Sequence, residues 1–416
     1  MAANRSPSRE LLRGNVLWLS VVSFLNDAAS EMIYPLLPAF ILQLGAGPAF
    51  LGLIEGVAEA TASLVKLASG WISDRVGKRK ALAVWGYTIA TLARPFIAVA
   101  RAAWQVLIIR FADRVGKGVR TAPRDALLAE SVVPARRGAA FGIHRAADHA
   151  GAVVGPLLAS ALLLLLPGRL RLVFALAALP GLVAVALLAW RVRESPALAA
   201  GAKPGSTPEP RAAPPADRRA APAAKAGIRD LGGTFRRYMA VVVLFTLGNA
   251  SDAFLLLRAQ QLGVAMALIP ILWAAFHVSK MVWSVVGGNL ADRVGPRRAI
   301  VGGWLAYAAT YAAFAFAAEA WQAWALFLFY GLYFGLTEAP EKLLVVRLAP
   351  AEARGTAFGA YHFAVGIAAL PASLLFGEIW QHLGPEAAFL TGAGLALVAA
   401  LALPLLVRNE GAAGPG

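Results

Sequence analysis

The sequence predicts an all-α membrane protein with twelve transmembrane helices, arranged as two six-helix halves related by a pseudo-twofold axis. Three observations lead to this prediction. The 416 residues are 59% hydrophobic and only 15% charged, whereas soluble domains contain about 25% charged residues. Apolar stretches long enough to cross a bilayer recur along the whole chain. Several short motifs of the first half return in the same order in the second half.

The composition already excludes several classes of protein. So few charges cannot cover the surface of an ordinary cytosolic enzyme, and the apolar content argues against a disordered chain or a fibrous repeat. Cysteine is absent, so the chain has no disulfide, thiolate metal site or cysteine nucleophile. The net charge of +16 comes mainly from short basic stretches between apolar runs. This pattern is typical of orientation in a membrane rather than of nucleic-acid binding.

Each predicted span contains the roughly 20 mainly apolar residues that a helix needs to cross the hydrocarbon layer. Spans 4 and 10 are weak by hydropathy and are predicted mainly from the repeat. The first six spans lie at 15–43, 49–72, 81–100, 104–128, 139–166 and 171–191. The second six lie at 238–261, 266–290, 299–317, 322–347, 356–382 and 386–407.

These spans divide the chain into two bundles, a linker and two tails. The linker is rich in Ala, Pro and Arg and has no helical apolar face, so we expect it to be flexible. The predicted parts are an N-terminal tail (1–14), a first bundle (15–192), the linker (193–237), a second bundle (238–408) and a C-terminal tail (409–416).

Basic residues predict the orientation of the bundles. They follow spans 2, 4, 6 and 8, whereas the loops around Gly45, Gly263 and Gly384 contain almost none; Arg169 and Arg171 are exceptions. Because cytoplasmic loops are enriched in Lys and Arg, we expect the linker and both termini to be cytoplasmic. The predicted location is the inner, or cytoplasmic, membrane of a cell.

The repeat is clearest in the loops that follow spans 2 and 8. The segment from Gly70 to Arg79 returns as the segment from Gly288 to Arg297, and Ala122-Pro123 returns as Ala339-Pro340. Two halves in the same orientation are parallel repeats about an axis along the membrane normal. An alternating-access carrier needs such duplication because its site lies at the interface between the halves.

Both loops resemble the signature loop of the major facilitator superfamily, Gly-x-x-x-Asp-Arg-x-Gly-Arg-Arg. The resemblance implies the twelve-helix fold of that family and a cytoplasmic gate at these loops. Glycine allows close helix approach, and aspartate can meet a helix N-terminus or a base. The alternative is a turn whose charge only sets topology. The implied gate residues are Gly70, Asp74, Arg75, Gly77, Arg79, Gly288, Asp292 and Arg293.

Span 5 resembles the antiporter motif of the same family, Gly-x8-Gly-x3-Gly-Pro-x2-Gly-Gly. The matching residues are Gly142, Gly151, Gly155 and Pro156, and the last two glycines are replaced by alanine and serine. The resemblance implies a drug/proton-antiporter-like exporter. Small residues four positions apart also make a smooth stripe on which another helix can pivot. A static helix interface is the alternative interpretation.

Span 4 contains an unusual row of charges. Arg110, Arg114 and Lys117 share one helical face with Arg124, and Asp113 lies beside it. Such residues cost about 2.5–3.5 kcal/mol each at a helix centre, so the face should line a water-filled cavity between the halves. Arginine binds carboxylates and phosphates through paired hydrogen bonds, which favours an anionic solute. Alternatively, these bases only neutralise nearby carboxylates, namely Asp27, Glu31, Glu55 and Glu59.

Carboxylates inside the first two spans are candidate proton carriers. Asp27 and Glu31 are one helical turn apart in span 1, and Glu59 lies in the middle of span 2. A carboxylate there can exchange a proton when the cavity changes sides. Structural ion pairing is the alternative. Four further polar residues complete the predicted cavity: Asn26, Tyr34, Asn249 and Asp252.

A second group of charges lies near the cytoplasmic ends of spans 4, 5 and 10. His144 and Asp148 are neighbours on span 5, so a proton relay or a gate of ion pairs is possible. Glu341 and Lys342 occupy the repeat positions of Arg124 and Asp125 with reversed charges. We expect an Arg124–Glu341 pair to join the halves when the cytoplasmic side is closed.

Together these features predict a secondary transporter that exports a small organic, anionic solute in exchange for protons. The alternatives are an uptake symporter or an organophosphate-type anion exchanger with the same fold, and, from other classes, a lipid flippase or a membrane-embedded enzyme. No P-loop, nucleophile elbow, zinc-protease or dinucleotide motif occurs in a valid context. We therefore expect no catalytic residues, metal or cofactor. The expected partners are solute, protons and lipid, without nucleic acid, and the expected state is a monomer.

Overall fold

The computed structural model describes residues 14–76, 78–133, 136–194, 231–350 and 353–407. Within these ranges the chain is helical and contains no β-strand. The N-terminal tail up to residue 13, most of the predicted linker, and the C-terminal tail from residue 408 lie outside the described residues.

The described part of the first half contains eight α-helices and two short 3₁₀ segments, Tyr34–Leu36 and Arg94–Val99. The α-helices are α1 (Gly14–Glu31), α2 (Leu37–Gln43), α3 (Pro48–Val76), α4 (Arg79–Ala93), α5 (Ala103–Glu130), α6 (Arg137–Leu165), α7 (Leu170–Leu176) and α8 (Ala178–Arg191).

The described part of the second half contains six α-helices, the first of which begins ahead of the predicted start of its span at residue 238. They are α9 (Gly233–Gly248), α10 (Ala253–Gln261), α11 (Ile269–Val294), α12 (Pro296–Phe316), α13 (Ala320–Leu348) and α14 (Arg354–Leu406).

Several predicted spans are broken by residues that interrupt helical hydrogen bonding. Pro35 lies in the first turn of the 3₁₀ segment between α1 and α2, because proline suits the first turn of a helix but not its interior. α9 ends before Asn249, whose backbone is not helical. α14 is kinked at Gly384, where φ is +89°, a conformation that glycine adopts without steric cost. The first two breaks separate paired helices that share one predicted span, whereas the Gly384 kink lies between predicted spans 11 and 12.

Eight described segments are long and apolar enough to cross a membrane: Gly14–Gln43, Pro48–Ser73, Arg79–Val99, Arg137–Leu165, Leu170–Arg191, Gly233–Gln261, Pro296–Phe316 and Thr356–Leu406. The last of these contains the Gly384 kink, and the predicted spans 11 and 12 therefore fall within it. α5, α11 and α13 are of similar length but do not reach the same hydropathy and charge limits.

Helices pack mainly within each half, with two major contacts between the halves. In the first half α1 packs on α6 and α8, and α3 and α4 pack on α5. In the second half α9 and α12 pack on α14, and α11 packs on α13. Between the halves, α3 lies along α14 and α6 lies along α11. We call the end with the Gly45, Gly263 and Gly384 loops the Gly45 end, and the opposite end the Arg79 end.

The cores of the two halves differ in chemistry. The second half buries stacked aromatic rings, such as Phe245 on Trp304, with ring centroids 4.6 Å apart, and Tyr307 on Tyr311 at 4.1 Å. The first half instead buries charged side chains, which are Arg79, Arg94, Arg110, Asp113 and Arg120, besides Glu55 and Asp148. A first half with buried charges therefore packs against a second half with a largely aromatic core.

Candidate functional site

A cavity of about 380 Å³ lies between the two halves. This volume is at the lower end of the roughly 300–1,000 Å³ of small-molecule sites. Both halves supply its walls. The lining residues are Glu31, Tyr34, Glu55, Glu59, Arg114 and Lys117 from the first half, and Thr246, Asn249, Ala250, Ser251, Asp252, Trp273, Phe334, Val365, Ala369 and Ser373 from the second.

Two breaks in helices place polar groups on the cavity wall. Glu31 ends α1 just before the proline-containing turn that positions Tyr34. Across the cavity, the segment from Asn249 to Asp252 links α9 and α10. Irregular backbone at membrane depth is tolerated where it lines a cavity. The Tyr34 hydroxyl and Ser251 Oγ lie 3.3 Å apart and connect the two breaks.

The charges of α5 form a buried network beside the cavity. Arg110 donates to Glu55 Oε1 at 2.7 Å, and it lies 3.7 Å from Asp113. The neutralisation alternative therefore applies to Arg110 and Glu55. Three residues that were predicted to line the cavity lie in this network instead and are not among the residues that line the cavity: Asn26, Arg110 and Asp113.

Arg114 and Lys117 are the two bases of α5 that line the cavity. Arg114 Nε is 4.0 Å from Asp113 Oδ2, too long for a hydrogen bond. Among the described residues, neither side chain has a hydrogen-bond partner for its basic nitrogens. One helical turn apart on one face, they offer adjacent positive charges to a solute.

Arg94 is part of the network and was missed by the sequence analysis. It is 4% exposed, and its Nε donates to Asp113 Oδ1 at 2.8 Å. Its Nη1 donates to the backbone and side-chain oxygens of Asn26 at 3.3 and 3.1 Å. A lone arginine within predicted span 3, followed by proline, was the available signal, since an intramembrane charge implies a buried partner.

The predicted proton carriers occupy different surroundings. Glu31 accepts a hydrogen bond of 2.7 Å from Trp273 Nε1 of the opposite half, and Glu59 lines the cavity. Asp27 accepts from Asn26 Nδ2 at 3.0 Å and is not among the lining residues. Glu31 therefore contacts the opposite half directly.

The second half contributes polar groups held by tyrosines. Asp252 accepts from the Tyr330 hydroxyl at 2.9 Å, and Asn249 donates to the Tyr333 hydroxyl at 3.0 Å. Trp273 and Phe334 form aromatic walls of the cavity. These two rings could not be singled out from the sequence, because aromatic residues are frequent throughout the second half and their spacing marks no particular face.

At the Gly45 end the halves are packed tightly. A Cβ at Gly52 would overlap the carbonyl oxygen of Ser373, and one at Gly377 would lie 2.6 Å from the carbonyl oxygen of Pro48. The Ala49 N–H donates to Gln381 Oε1 at 3.2 Å. This end of the cavity is closed by direct contact between backbones.

At the Arg79 end the contact between halves is looser. Arg145 of α6 and Glu338 of α13 form an ion pair of 3.3 Å, but their side chains are 58% and 42% exposed. A Cβ at Gly142 or Gly359 would have no neighbour within 4 Å. The two halves are therefore further apart here than at the Gly45 end.

The ion pairs at the Arg79 end lie mostly within each half. Arg124 pairs with Asp125 at 2.8 Å, and His144 Nδ1 is 3.6 Å from Asp148 Oδ2. In the second half, Lys342 pairs with Glu338 at 3.3 Å. Glu341 accepts hydrogen bonds from Trp304 Nε1 at 3.1 Å and the Tyr361 hydroxyl at 2.6 Å. The Arg124–Glu341 pair, expected for a closed cytoplasmic side, is not formed in this conformation.

The first signature loop is tied to neighbouring helices. Arg79 pairs with Glu130, and the Arg79 and Lys80 N–H groups donate to Glu194. A Cβ at Gly70 would be 3.6 Å from Ala122, and exposed Arg75 covers the ring of Trp71. Gly288 and Arg293 lie in α11. Gly77 lies outside the described residues, as do the side chains of Asp74 and Asp292.

The small-residue stripe of α6 packs against α1. A Cβ at Gly151 would overlap the carbonyl oxygen of Phe24, and one at Gly155 would overlap that of Ala28. Pro156 is buried beside them, whereas Gly142 lies in open space. The stripe thus sets the position of the helix that carries Glu31.

Helices long enough to span a membrane, and a central cavity built from both halves of the chain, are the architecture of a membrane transporter. The Major Facilitator Superfamily model matches residues 19–373 and 253–415. The chain belongs to this superfamily and is therefore a transporter rather than an enzyme.

Similar proteins cover most of the chain. An uncharacterized MFS-type transporter, MJ1317 of Methanocaldococcus jannaschii, is 32% identical over 406 residues, or 96% of each chain. The crystal structure of a bacterial homolog of the human lysosomal transporter Spinster, inward-facing and unoccupied, shares the fold with a TM-score of 0.71 at 18% identity. That match covers 97% of this chain and 96% of the other. Multidrug resistance protein MdtH of Photorhabdus laumondii is 31% identical over 133 residues, 32% of this chain and 33% of that protein.

Proposed function

We propose that this transporter exports a small organic solute with an anionic group in exchange for protons. The observation that carries the proposal is the composition of the central cavity. Glu31 and Glu59 share it with Arg114 and Lys117, which have no hydrogen-bond partner among the described residues. Carboxylates and positively charged side chains that line one cavity can bind a proton and an anion at neighbouring positions.

In this proposal the chain has twelve spans in two bundles, 15–192 and 238–408. α5, α11 and α13 supply three spans beyond the eight apolar segments, and Gly384 divides α14 into two. The charges of α5 face the network and the cavity, so its low hydropathy is compatible with a central span. The protein lies in the inner membrane of a cell. Its basic Arg79 end faces the cytoplasm, together with the termini and the linker.

The exchange follows from competition at the carboxylates. Ionised Glu31 or Glu59 binds a donor group of the solute, while Arg114 and Lys117 bind its anionic group. Protonation removes the carboxylate charge and releases the solute, so proton and solute do not occupy the site together. The α6 stripe, as an antiporter motif, and the partial similarity to MdtH support the exporter branch. The gate residues at the Arg79 end would close after binding.

Proteoliposomes with a trapped pH dye test the proposal with a panel of carboxylate, phosphate and amine solutes. We expect an anionic solute to drive proton movement in the opposite direction. Glu31→Gln should abolish this coupled flux, and Arg114→Ala should weaken solute binding by about 10–100-fold, as expected for lost charge-assisted hydrogen bonds. Glu386→Gln removes an exposed carboxylate outside the cavity and should behave like the unmodified protein.

The direction of proton movement relative to the solute distinguishes an antiporter from a symporter. Glu59 and Lys117 line the same cavity. In the alternative mechanism, protonation of Glu59 removes a negative charge near Lys117 and favours anion binding, and the proton and solute then move together. Protons moving with the solute would therefore establish a symporter. Proton flux that no solute changes would refute proton coupling altogether.

A further inference from the structure

A second cavity, of about 730 Å³, lies at the Arg79 end of the second half and is separate from the central cavity. It is formed where α9 and α12 begin and α13 ends. Its lining residues are Gly232, Gly233, Thr234, Phe235, Val294, Gly295, Pro296, Arg297, Arg298, Leu344, Arg347 and Leu348. We call it the arginine pocket.

The arginine pocket is basic and contains no carboxylate among its lining residues. Arg297 donates to the carbonyl oxygen of Val407 at 2.8 Å, which fixes it against the end of α14. Arg298 and Arg347 are exposed, and neither side chain is paired within the described part of the chain. Two guanidinium groups on different helices therefore line one space in which no carboxylate of the described residues neutralises them.

The backbone adds to this positive character. The first turns of α9 and α12 both line the pocket, so the N-terminal ends of both helices are directed towards it. The positive end of each helix dipole supports a bound anion next to the arginines. Below them, buried Phe235 and Leu344 give the pocket an apolar wall.

We propose that the arginine pocket binds the phosphate group of an anionic phospholipid. Guanidinium groups bind phosphate through paired, charge-assisted hydrogen bonds. Basic pockets between transmembrane helices at the membrane surface bind anionic headgroups. The apolar wall beside the arginines suits a headgroup that remains attached to its glycerol and acyl chains, and so favours lipid over free phosphate as the source.

The proposal is tested by lipid retention on the purified full-length protein, measured by native mass spectrometry with phosphatidylglycerol and phosphatidylcholine. We expect the unmodified protein to retain phosphatidylglycerol preferentially. The double variant Arg298→Gln/Arg347→Gln should lose at least about tenfold in affinity, as expected for two lost charge-assisted hydrogen bonds. Arg236→Gln/Arg237→Gln is the matched control, because these exposed arginines lie on α9 outside the pocket.

Equal retention of phosphatidylglycerol by the pocket variant and the unmodified protein would overturn the proposal, as would an equal loss in the control. Arg298→Lys/Arg347→Lys keeps the charge without the paired hydrogen-bond geometry. Its affinity for phosphatidylglycerol should lie between that of the unmodified protein and that of the glutamine double variant. Added inorganic phosphate distinguishes the source. Competition at millimolar phosphate would assign the site to free phosphate, and no competition would assign it to lipid.

Discussion

Gly52→Val is expected to abolish transport and to hold the Gly45 end open. In the structure α3 approaches α14 so closely that a Cβ at Gly52 would overlap the carbonyl oxygen of Ser373 and lie 3.0 Å from its carbonyl carbon. Both atoms belong to backbone, which cannot rotate away as a long side chain can. Valine would therefore force the two halves apart at this end.

The expected shift concerns the balance between two conformations. A carrier must reach the state closed at the Gly45 end to expose its site at the other end. A steric penalty applied only to that state moves the population to the other conformation, and each 1.4 kcal/mol changes the ratio about tenfold. Overlap with backbone should cost several times this amount, which would leave little of the closed state.

Because the chain contains no cysteine, one introduced thiol reports the change. Thr246→Cys places the thiol on the cavity wall, and a membrane-impermeant maleimide is added from the Gly45 side. We expect Gly52→Val to raise the labelling rate at least about tenfold. Gly394→Val is the matched control, since a Cβ there would have no neighbour within 4 Å. Unchanged labelling together with normal transport would contradict the assigned closure.

The sequence was informative about helix positions because hydrophobic length and internal repetition are local properties. Even α5, which is too charged for a hydropathy search, lies at Ala103–Glu130 against a predicted 104–128. The kink in α14 falls at Gly384, in the turn predicted between spans 11 and 12. By contrast, the extension of α9 back to Gly233 could not be seen, because the linker sequence beside it has no apolar periodicity.

The pairing of charges could not be predicted from the sequence. The spacing of α5 indicated that Arg110 and Arg114 share a face, but Arg110 meets Glu55 while Arg114 lines the cavity. That difference depends on how helices rotate and cross, which no single-helix pattern contains. The Glu31–Trp273 hydrogen bond likewise joins residues of different halves.

Arg94→Met is expected to lower the free energy of unfolding by about 3 kcal/mol, the lower end of the usual cost of breaking a buried ion pair, because Asp113 keeps only its longer contacts with Arg110 at 3.7 Å and Arg114 at 4.0 Å. Arg94 donates to Asp113 at 2.8 Å, and both residues are buried. Arg110 is already engaged by Glu55, so it cannot fully replace the lost guanidinium. The Asn26 oxygens also lose their donor.

Unfolding in mixed detergent micelles measures this effect, and Arg101→Met is the control because Arg101 is exposed in a loop. The double variant Arg94→Met/Asp113→Asn should recover part of the loss, since it removes, together with the arginine, the carboxylate charge that has lost its shortest hydrogen bond. A purely steric role for Arg94 predicts no such recovery. If Arg94→Met instead unfolds within about 1 kcal/mol of the control, as a surface substitution would, the buried network is not what holds α5 beside the cavity.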